Sequence, residues 1–377
     1  MSKELLHTPE GVRDIYGKEY ARKLVTQQIL HQRISSYGYD EIQTPTFEYF
    51  DVFSREIGTT PSRDLYKFFD KTGDTLVLRP DFTPSIARCA AKYFMDESIP
   101  LRFCYVGNTF INTSNLQGKL KEVTQMGAEL INDDSVQADA EMISMVLDAL
   151  KSTGLKHFQL TIGQVEYFKG LCQEAGLDED TEYDLREYIS GKNYFAAEEL
   201  LQERQVKEPY RSVFLKVADM FGNMTSLAEA RKLVNNERSL KALERLEKIY
   251  EVLELYGVSK HISFDLGMLS KYNYYTGVIF KAYTFGVGDA IVKGGRYNNL
   301  LKQFGKNAPA VGFVIAVDDI LEAMMRQNID LPLLNHKQQI IYHSGNYPEK
   351  LSEAMELRRQ GIRAELVPDR QELHENE

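Results

Sequence analysis

The chain has 377 residues, 43% of them hydrophobic, which is enough for two or three domains with full cores. Its formal net charge of -10 lacks the basic footprint of a nucleic-acid-binding protein. Three widely spaced cysteines, Cys89, Cys104 and Cys172, give neither a disulfide framework nor a zinc motif, and neither a leader nor a run of about 18 apolar residues is present. A soluble, cytoplasmic protein without a resident metal is expected.

After the lead-in LLHTPEGVRDIYG, Ala21, Leu24, Val25 and Ile29 share one face and predict a helix from about Lys18 to Tyr37, closed by Gly38. A strand over Glu41 to Phe47 contains Pro45, which points to an edge or bulge where one subunit can meet another. Tyr66 to Phe69 and Thr75 to Leu78 flank the turn Lys71-Thr72-Gly73-Asp74 as a hairpin. Asp81 and Thr83 precede a helix beginning near Pro84, so a carboxylate and a hydroxyl stand at a strand-to-helix corner. Arg102 to Phe110 and Lys121 to Ile131 form a longer hairpin. Its polar loop, Asn112 to Gly118, would close over a ligand held by donors converging from both strands. This loop and its entry carry no arginine.

A helix follows over Val136 to Ser152, then a strand over Phe158 to Ile162. From Gly170 to about Gly257 the pattern is helical only. Strand patterns return at His261 to Leu266, Tyr274 to Tyr283 and Asp289 to Val292, followed by a loop, Lys293 to Tyr297, in which Gly294 and Gly295 read as turn glycines. A strand over Ala310 to Val317 leads into a helix over Asp318 to Arg326, and past a linker near Leu331 to Lys337 a single β-α-β run closes the chain. The predicted class is α+β: an antiparallel sheet flanked by helices, from residues 1–169 and 258–330, interrupted by a helical insertion at 170–257 and followed by a partial α/β segment at 337–377.

Seven stretches stand in one order: PEGVRDIYG at Pro9, GYDEIQTPTFEYFDVF at Gly38, LRPDFT at Leu78, the Phe110 to Glu129 hairpin, YNYYTGVIF at Tyr272, GGRYNNL at Gly294 and AVGFVIAVDDI at Ala310. Together they resemble class II histidyl-tRNA synthetases. The resemblance implies the class II aminoacyl-tRNA synthetase-like sheet, a dimer formed through the first motif, and an ATP site clamped by arginines. Here those clamps are replaced. The hairpin arginine and glutamate correspond to Ile111 and Thr113, the arginine of the last motif to Asp319, and a third arginine to Ser270. A triphosphate needs fixed cationic forks that these residues cannot supply. An acid in place of a base repels a phosphate by roughly 4 kcal/mol at about 4 Å.

The half of the site that holds free histidine in the synthetases is kept, as Asp81, Thr83, Gln125, Glu129, Tyr274 and Tyr275. Asp81 and Glu129 can neutralise an α-ammonium, Gln125 can hydrogen-bond it, and a tyrosine hydroxyl can meet an imidazole nitrogen. A retained acidic pair implies a cationic ligand, although the same residues could simply satisfy one another in the sheet. Arg296 reads equally as an anion contact or a structural salt bridge, Lys119 and Lys121 as solvated hairpin charges, and the histidines show no metal-ligand spacing. A kept histidine pocket, lost ATP clamps and a truncated end resemble the regulatory subunits of ATP phosphoribosyltransferase. That resemblance implies a chain with no catalytic residues and no cofactor of its own. It implies assembly with a short catalytic ATP phosphoribosyltransferase chain into a hetero-octamer, self-association as a dimer, L-histidine as feedback effector in the first step of histidine biosynthesis, and no tRNA partner. The other reading is a divergent histidyl-tRNA synthetase or related adenylating enzyme, with Lys119, Lys121 or Arg296 serving the phosphates.

Overall fold

The computed structural model describes residues 6–54, 60–113, 120–269, 274–332 and 337–369. The chain divides into two compact units, Met1–Asp14 with Thr26–Ile329, and Ile15–Val25 with Asp330–Glu377. Helix α1 (Gly17–Ser35) is followed by Gly38 at φ 80°, a left-handed conformation open to glycine. Then come β1 (Asp40–Glu41), β2 (Phe47–Tyr49), α2 (Asp51–Ser54) and the hairpin of β3 (Lys67–Phe69) and β4 (Thr75–Leu78). The strand expected over Glu41 to Phe47 is therefore two strands in two sheets. β1 pairs in parallel with the main sheet, β2 joins β4 and β3, and Pro45 lies in the connection. Proline offers no N–H to a ladder, and the break falls around it.

Helix α3 (Thr83–Tyr93) begins at the predicted proline corner. The long hairpin forms from β5 (Leu101–Phe110) and β6 (Glu122–Ile131), paired without a bulge from Leu101↔Ile131 to Phe110↔Glu122. Helix α4 (Val136–Ser152) is capped by Ser135, whose hydroxyl oxygen accepts from the Ala138 N–H at 3.1 Å. After β7 (Phe158–Gln164) come α5 (Val165–Glu174), α6 (Glu179–Ser190), α7 (Tyr194–Glu203), α8 (Tyr210–Val217), β8 (Phe221–Gly222), α9 (Met224–Arg231) and α10 (Glu237–Leu255). The insertion is thus not wholly helical: β8 pairs with β9 (Ile262–Asp265) and extends the sheet. The chain continues through β10 (Val278–Thr284), β11 (Val292–Arg296), β12 (Ala310–Ala316) and α11 (Val317–Arg326).

The main sheet has the order β1-β5-β6-β12-β11-β10-β7-β9-β8. Pairing is antiparallel from β5 through β7, as expected, but parallel at β1–β5 and β7–β9. Both parallel partners are reached through helical connections, which can return a strand in the same direction. The stretch expected as a glycine loop, Lys293 to Tyr297, is instead largely strand β11. A Cβ at Gly294 would lie 2.4 Å from the Phe280 ring and one at Gly295 2.7 Å from the Tyr275 ring, so these glycines admit aromatic rings across the strand rather than turn the chain.

Phe82 and Ile86 of the α3 region pack with Leu101, Tyr105, Ile131 and Tyr297 in a core that borders one end of the β5–β6 hairpin. In the second unit β13 (Gln338–Tyr342), α12 (Tyr347–Arg359) and β14 (Ala364–Pro368) form the predicted β-α-β run, its strands parallel and Ile340 and Ala354 buried.

Candidate ligand-binding site

Side chains alternate across a strand, so register decides which of them meet. β5 and β6 pair Tyr105↔Gly127 and Gly107↔Gln125, β6 and β12 pair Glu129↔Gly312, and β12 and β11 pair Gly312↔Gly295. Tyr105, Gln125 and Glu129 therefore share one face, floored by Gly127, Gly312 and Gly295. The floor has to be bare. A Cβ on Gly312 would stand 1.5 Å from Glu129 Oε2, and one on Gly127 2.4 Å from the Tyr105 hydroxyl.

Glu129 is 1% exposed and is the deepest acid of the group. Its Oε1 accepts from the Thr83 hydroxyl at 2.8 Å and its Oε2 from the Tyr297 hydroxyl. Burial pushes its carboxyl up to about 8; the charge of Asp81 adds to the rise, and the hydrogen bonds from Tyr297 and Thr83 oppose it. Asp81 Oδ1 accepts the Thr83 N–H at 3.2 Å, which sets Thr83 at the first residue of α3 and Asp81 just before its N-cap, Phe82, at the end of the helix that favours negative charge. The Tyr274 and Tyr275 rings lie 4.4 Å apart, and Tyr274 meets Tyr297 edge-on at 6.1 Å. The structure thus brings Asp81, Thr83, Glu129, Tyr274 and Tyr275 together, with Gln125 two same-face steps along β6.

Two residues of this group, Tyr105 and Tyr297, were not singled out by the sequence. Tyr105 stacks on Phe82 at 4.4 Å, and Phe82 in turn lies 4.0 Å beneath the Arg79 guanidinium. Arg79 is held by the carbonyls of Asn108 at 2.8 Å and Thr44 at 2.9 Å, which makes it a structural cation. The pairing of large Tyr105 with Gly127 is the available clue, but it needs the strand register. The buried side-chain oxygen of Gln125 has no hydrogen-bond partner among the described residues, and the buried Tyr105 hydroxyl lies against Glu129 and Thr83 without a hydrogen bond of normal geometry. An unsatisfied buried polar atom costs about 1–3 kcal/mol, which a ligand bearing donors would relieve.

The flank corresponding to the lost clamps has a different chemistry. The Ile111 N–H donates to the Lys121 carbonyl at 2.9 Å, a hairpin contact, and Asp318 accepts the Thr124 N–H at 2.7 Å, joining α11 to β6. The Asp319 carboxyl is held above its usual range by burial and by repulsion from Asp289 and Asp318. Ser270, Lys119 and the loop from Ser114 to Gly118 lie outside the described residues. Further along the sheet a cavity of about 410 Å³ is bordered by Lys192, Asp265, Tyr275, Lys281, Tyr283 and Lys293.

Arg296 has the structural role of its two readings. It is 2% exposed; its Nε donates to Asp139 Oδ1 at 2.8 Å and its Nη1 to the Asp133 carbonyl at 2.9 Å. Asp139, fully buried, also accepts from Arg245 Nε at 2.8 Å, so one carboxylate joins β11, α4 and α10.

Residues 11–320 match the histidyl-tRNA synthetase family model. An ATP phosphoribosyltransferase regulatory subunit of Acetivibrio thermocellus is 39% identical over 366 residues, covering 97% of this chain and 88% of the relative. One from Clostridium kluyveri is 39% identical over 363 residues, covering 96% and 93%. A solved structure from Bacillus halodurans C, described as an ATP phosphoribosyltransferase regulatory subunit/histidyl-tRNA synthetase, superposes with a TM-score of 0.88 at 33% identity, covering 99% of this chain and 96% of the other.

Proposed function

The chain belongs to the family of ATP phosphoribosyltransferase regulatory subunits, built on the class II histidyl-tRNA synthetase fold, and from that premise we propose that it is a non-catalytic L-histidine sensor whose ligand occupies the site around Glu129. In this reading Asp81 and Glu129 face the α-ammonium, Gln125 accepts a hydrogen bond from it, and the hydroxyls of Tyr105 and Tyr275 serve the imidazole. The observation that carries the reading is the unpartnered buried Gln125 Oε1 on the same face as the buried acid Glu129, with the buried Tyr105 hydroxyl beside that acid. Their chemistry suits a small ligand rich in donors. The carboxylates of Asp318 and Asp319 on the adjoining flank disfavour a bound triphosphate, which supports sensing without adenylation.

The partner in this proposal is a short catalytic ATP phosphoribosyltransferase chain, assembled with a dimer of this chain into a hetero-octamer. Histidine would inhibit by binding one state of that assembly more tightly than the other; no chemistry at the site is required. Calorimetric titration of the chain with L-histidine, and separately with ATP and magnesium, tests the reading. Histidine heat that vanishes in Glu129→Ala, with no ATP heat, is the expected result. ATP binding with histidine-dependent pyrophosphate exchange would replace it with an adenylating enzyme.

A further inference from the structure

On the opposite face of the same hairpin, three side chains of metal-ligand type converge from three elements. Cys104 of β5 is 1% exposed, and by alternation it points away from the face that carries Tyr105. β1 runs alongside β5 in the register Glu41↔Cys104. His31 of α1 reaches over, with its Nε2 3.0 Å from Glu41 Oε1. A thiol sulfur, an imidazole nitrogen and a carboxylate oxygen all lie within 4.8 Å of one another. The geometry points to a Zn²⁺ site built from His31, Glu41 and Cys104, with water in the fourth position.

The donor set selects the ion. Sulfur with imidazole and carboxylate suits zinc, whereas magnesium and calcium take oxygen ligands. Bond lengths of about 2.0–2.3 Å in a tetrahedral site put ligand atoms roughly 3.3–3.6 Å apart. At 3.0 Å the His31 and Glu41 pair need open by only a few tenths of an ångström to admit the ion, and the sulfur needs a closer approach. His31 and Glu41 side chains are 37% and 65% exposed, so both can turn toward the sulfur beneath them, and the ion has a path from solvent. Asp40 and Glu41 add negative charge at the mouth, where a dication is attracted.

Without an ion, burial first and then Glu41 and Asp40 push the Cys104 thiol up to about 11, so the sulfur keeps its proton. Binding forms a Zn–S bond, breaks the S–H bond and releases one proton to solvent, with no change of oxidation state. The ion would pin the two-residue edge strand β1 between α1 and β5. Ligands at positions 31, 41 and 104 leave no local spacing for a sequence motif to show.

The test is a Co²⁺ titration of the full chain after chelator treatment, followed by absorbance. One equivalent should produce a thiolate-to-cobalt charge-transfer band and four-coordinate visible bands, displaced by Zn²⁺. Cys104→Ser should abolish the charge-transfer band, and Cys89→Ser should leave it unchanged. His31→Asn and Glu41→Gln, changes at exposed side chains that leave the core intact, should each weaken binding by more than about tenfold. Absence of the band in the parent chain, its persistence in Cys104→Ser, or unchanged affinity in both surface variants overturns the assignment.

Discussion

Replacing Glu129 with glutamine keeps the shape of the side chain and removes its charge. A protonated carboxyl and an amide each offer one acceptor and at least one donor, so the contacts with Thr83 and Tyr297 can persist. In the ligand-free protein burial raises the carboxyl from 4.5 to about 8. Between those values the native state binds a proton that the unfolded chain has released. The stability contributed is therefore fully present below the unfolded value, falls as pH rises, and levels off above the folded value. By pH 7 the fall spans about 2.5 pH units, which at about 1.4 kcal/mol per unit amounts to about 3 kcal/mol. Urea denaturation of both proteins across this window reads the difference and cancels the other carboxylates: Glu129→Gln should lose about 3 kcal/mol less than the parent between the unfolded value and neutrality. Saturating L-histidine should flatten the parent profile by ionising Glu129 against a cation, with proton release at pH 7, and should leave the variant profile unchanged. Parallel profiles for the two ligand-free proteins would refute the argument that Glu129 is buried without a compensating cation.

Gly312→Ala places a Cβ 1.5 Å from Glu129 Oε2, so it should destabilise the fold by about 1–3 kcal/mol and abolish histidine heat; a variant that still binds histidine normally would remove the case for a bare glycine floor. Asp139→Ala removes the buried partner of Arg296 and leaves only the more than half-exposed Asp134 within ion-pair reach at 3.1 Å, so it should cost about 3–5 kcal/mol in denaturant unfolding, whereas a loss below about 1 kcal/mol would mean that Asp134 or water compensates the guanidinium. Phe47, Tyr49 and Phe68 lie on one face of the β2-β4-β3 sheet, with Phe47 and Tyr49 more than half exposed. If the proposed dimer covers this face, Phe47→Asp should shift sedimentation toward the monomer at unchanged helical content, and an undisturbed dimer would place the interface elsewhere.

What the sequence disclosed and what it withheld divide along the range of the interactions involved. The β5–β6 hairpin and α4 were legible to within a residue at each end, because alternation, a polar loop and a serine cap act over a few positions. The acids and hydroxyl of the site were legible too: Asp81 and Thr83 are fixed by a proline corner, while Gln125 and Glu129 lie two same-face steps apart on one strand. Tyr105, Tyr297 and the glycine floor were not, since each acquires its role from a strand or loop distant in sequence. Gly294 and Gly295 show why. Local rules assign paired glycines to a turn, but here the Phe280 and Tyr275 rings need the space, and that tertiary demand keeps the segment extended. Arg296 was ambiguous for the same reason, because the partner that settles it, Asp139, is 157 positions away. The acidic flank carries the point into function. From sequence alone Asp319 registers only as an acid where the family has a base, whereas the structure shows its neighbour Asp318 bonded to the Thr124 N–H of β6, the strand that also bears Gln125 and Glu129. In this chain the acid that replaces the phosphate-binding base, Asp319, directly follows the acid that fastens the strand on which the proposed histidine site is built, so the two halves of the site meet at adjacent carboxylates.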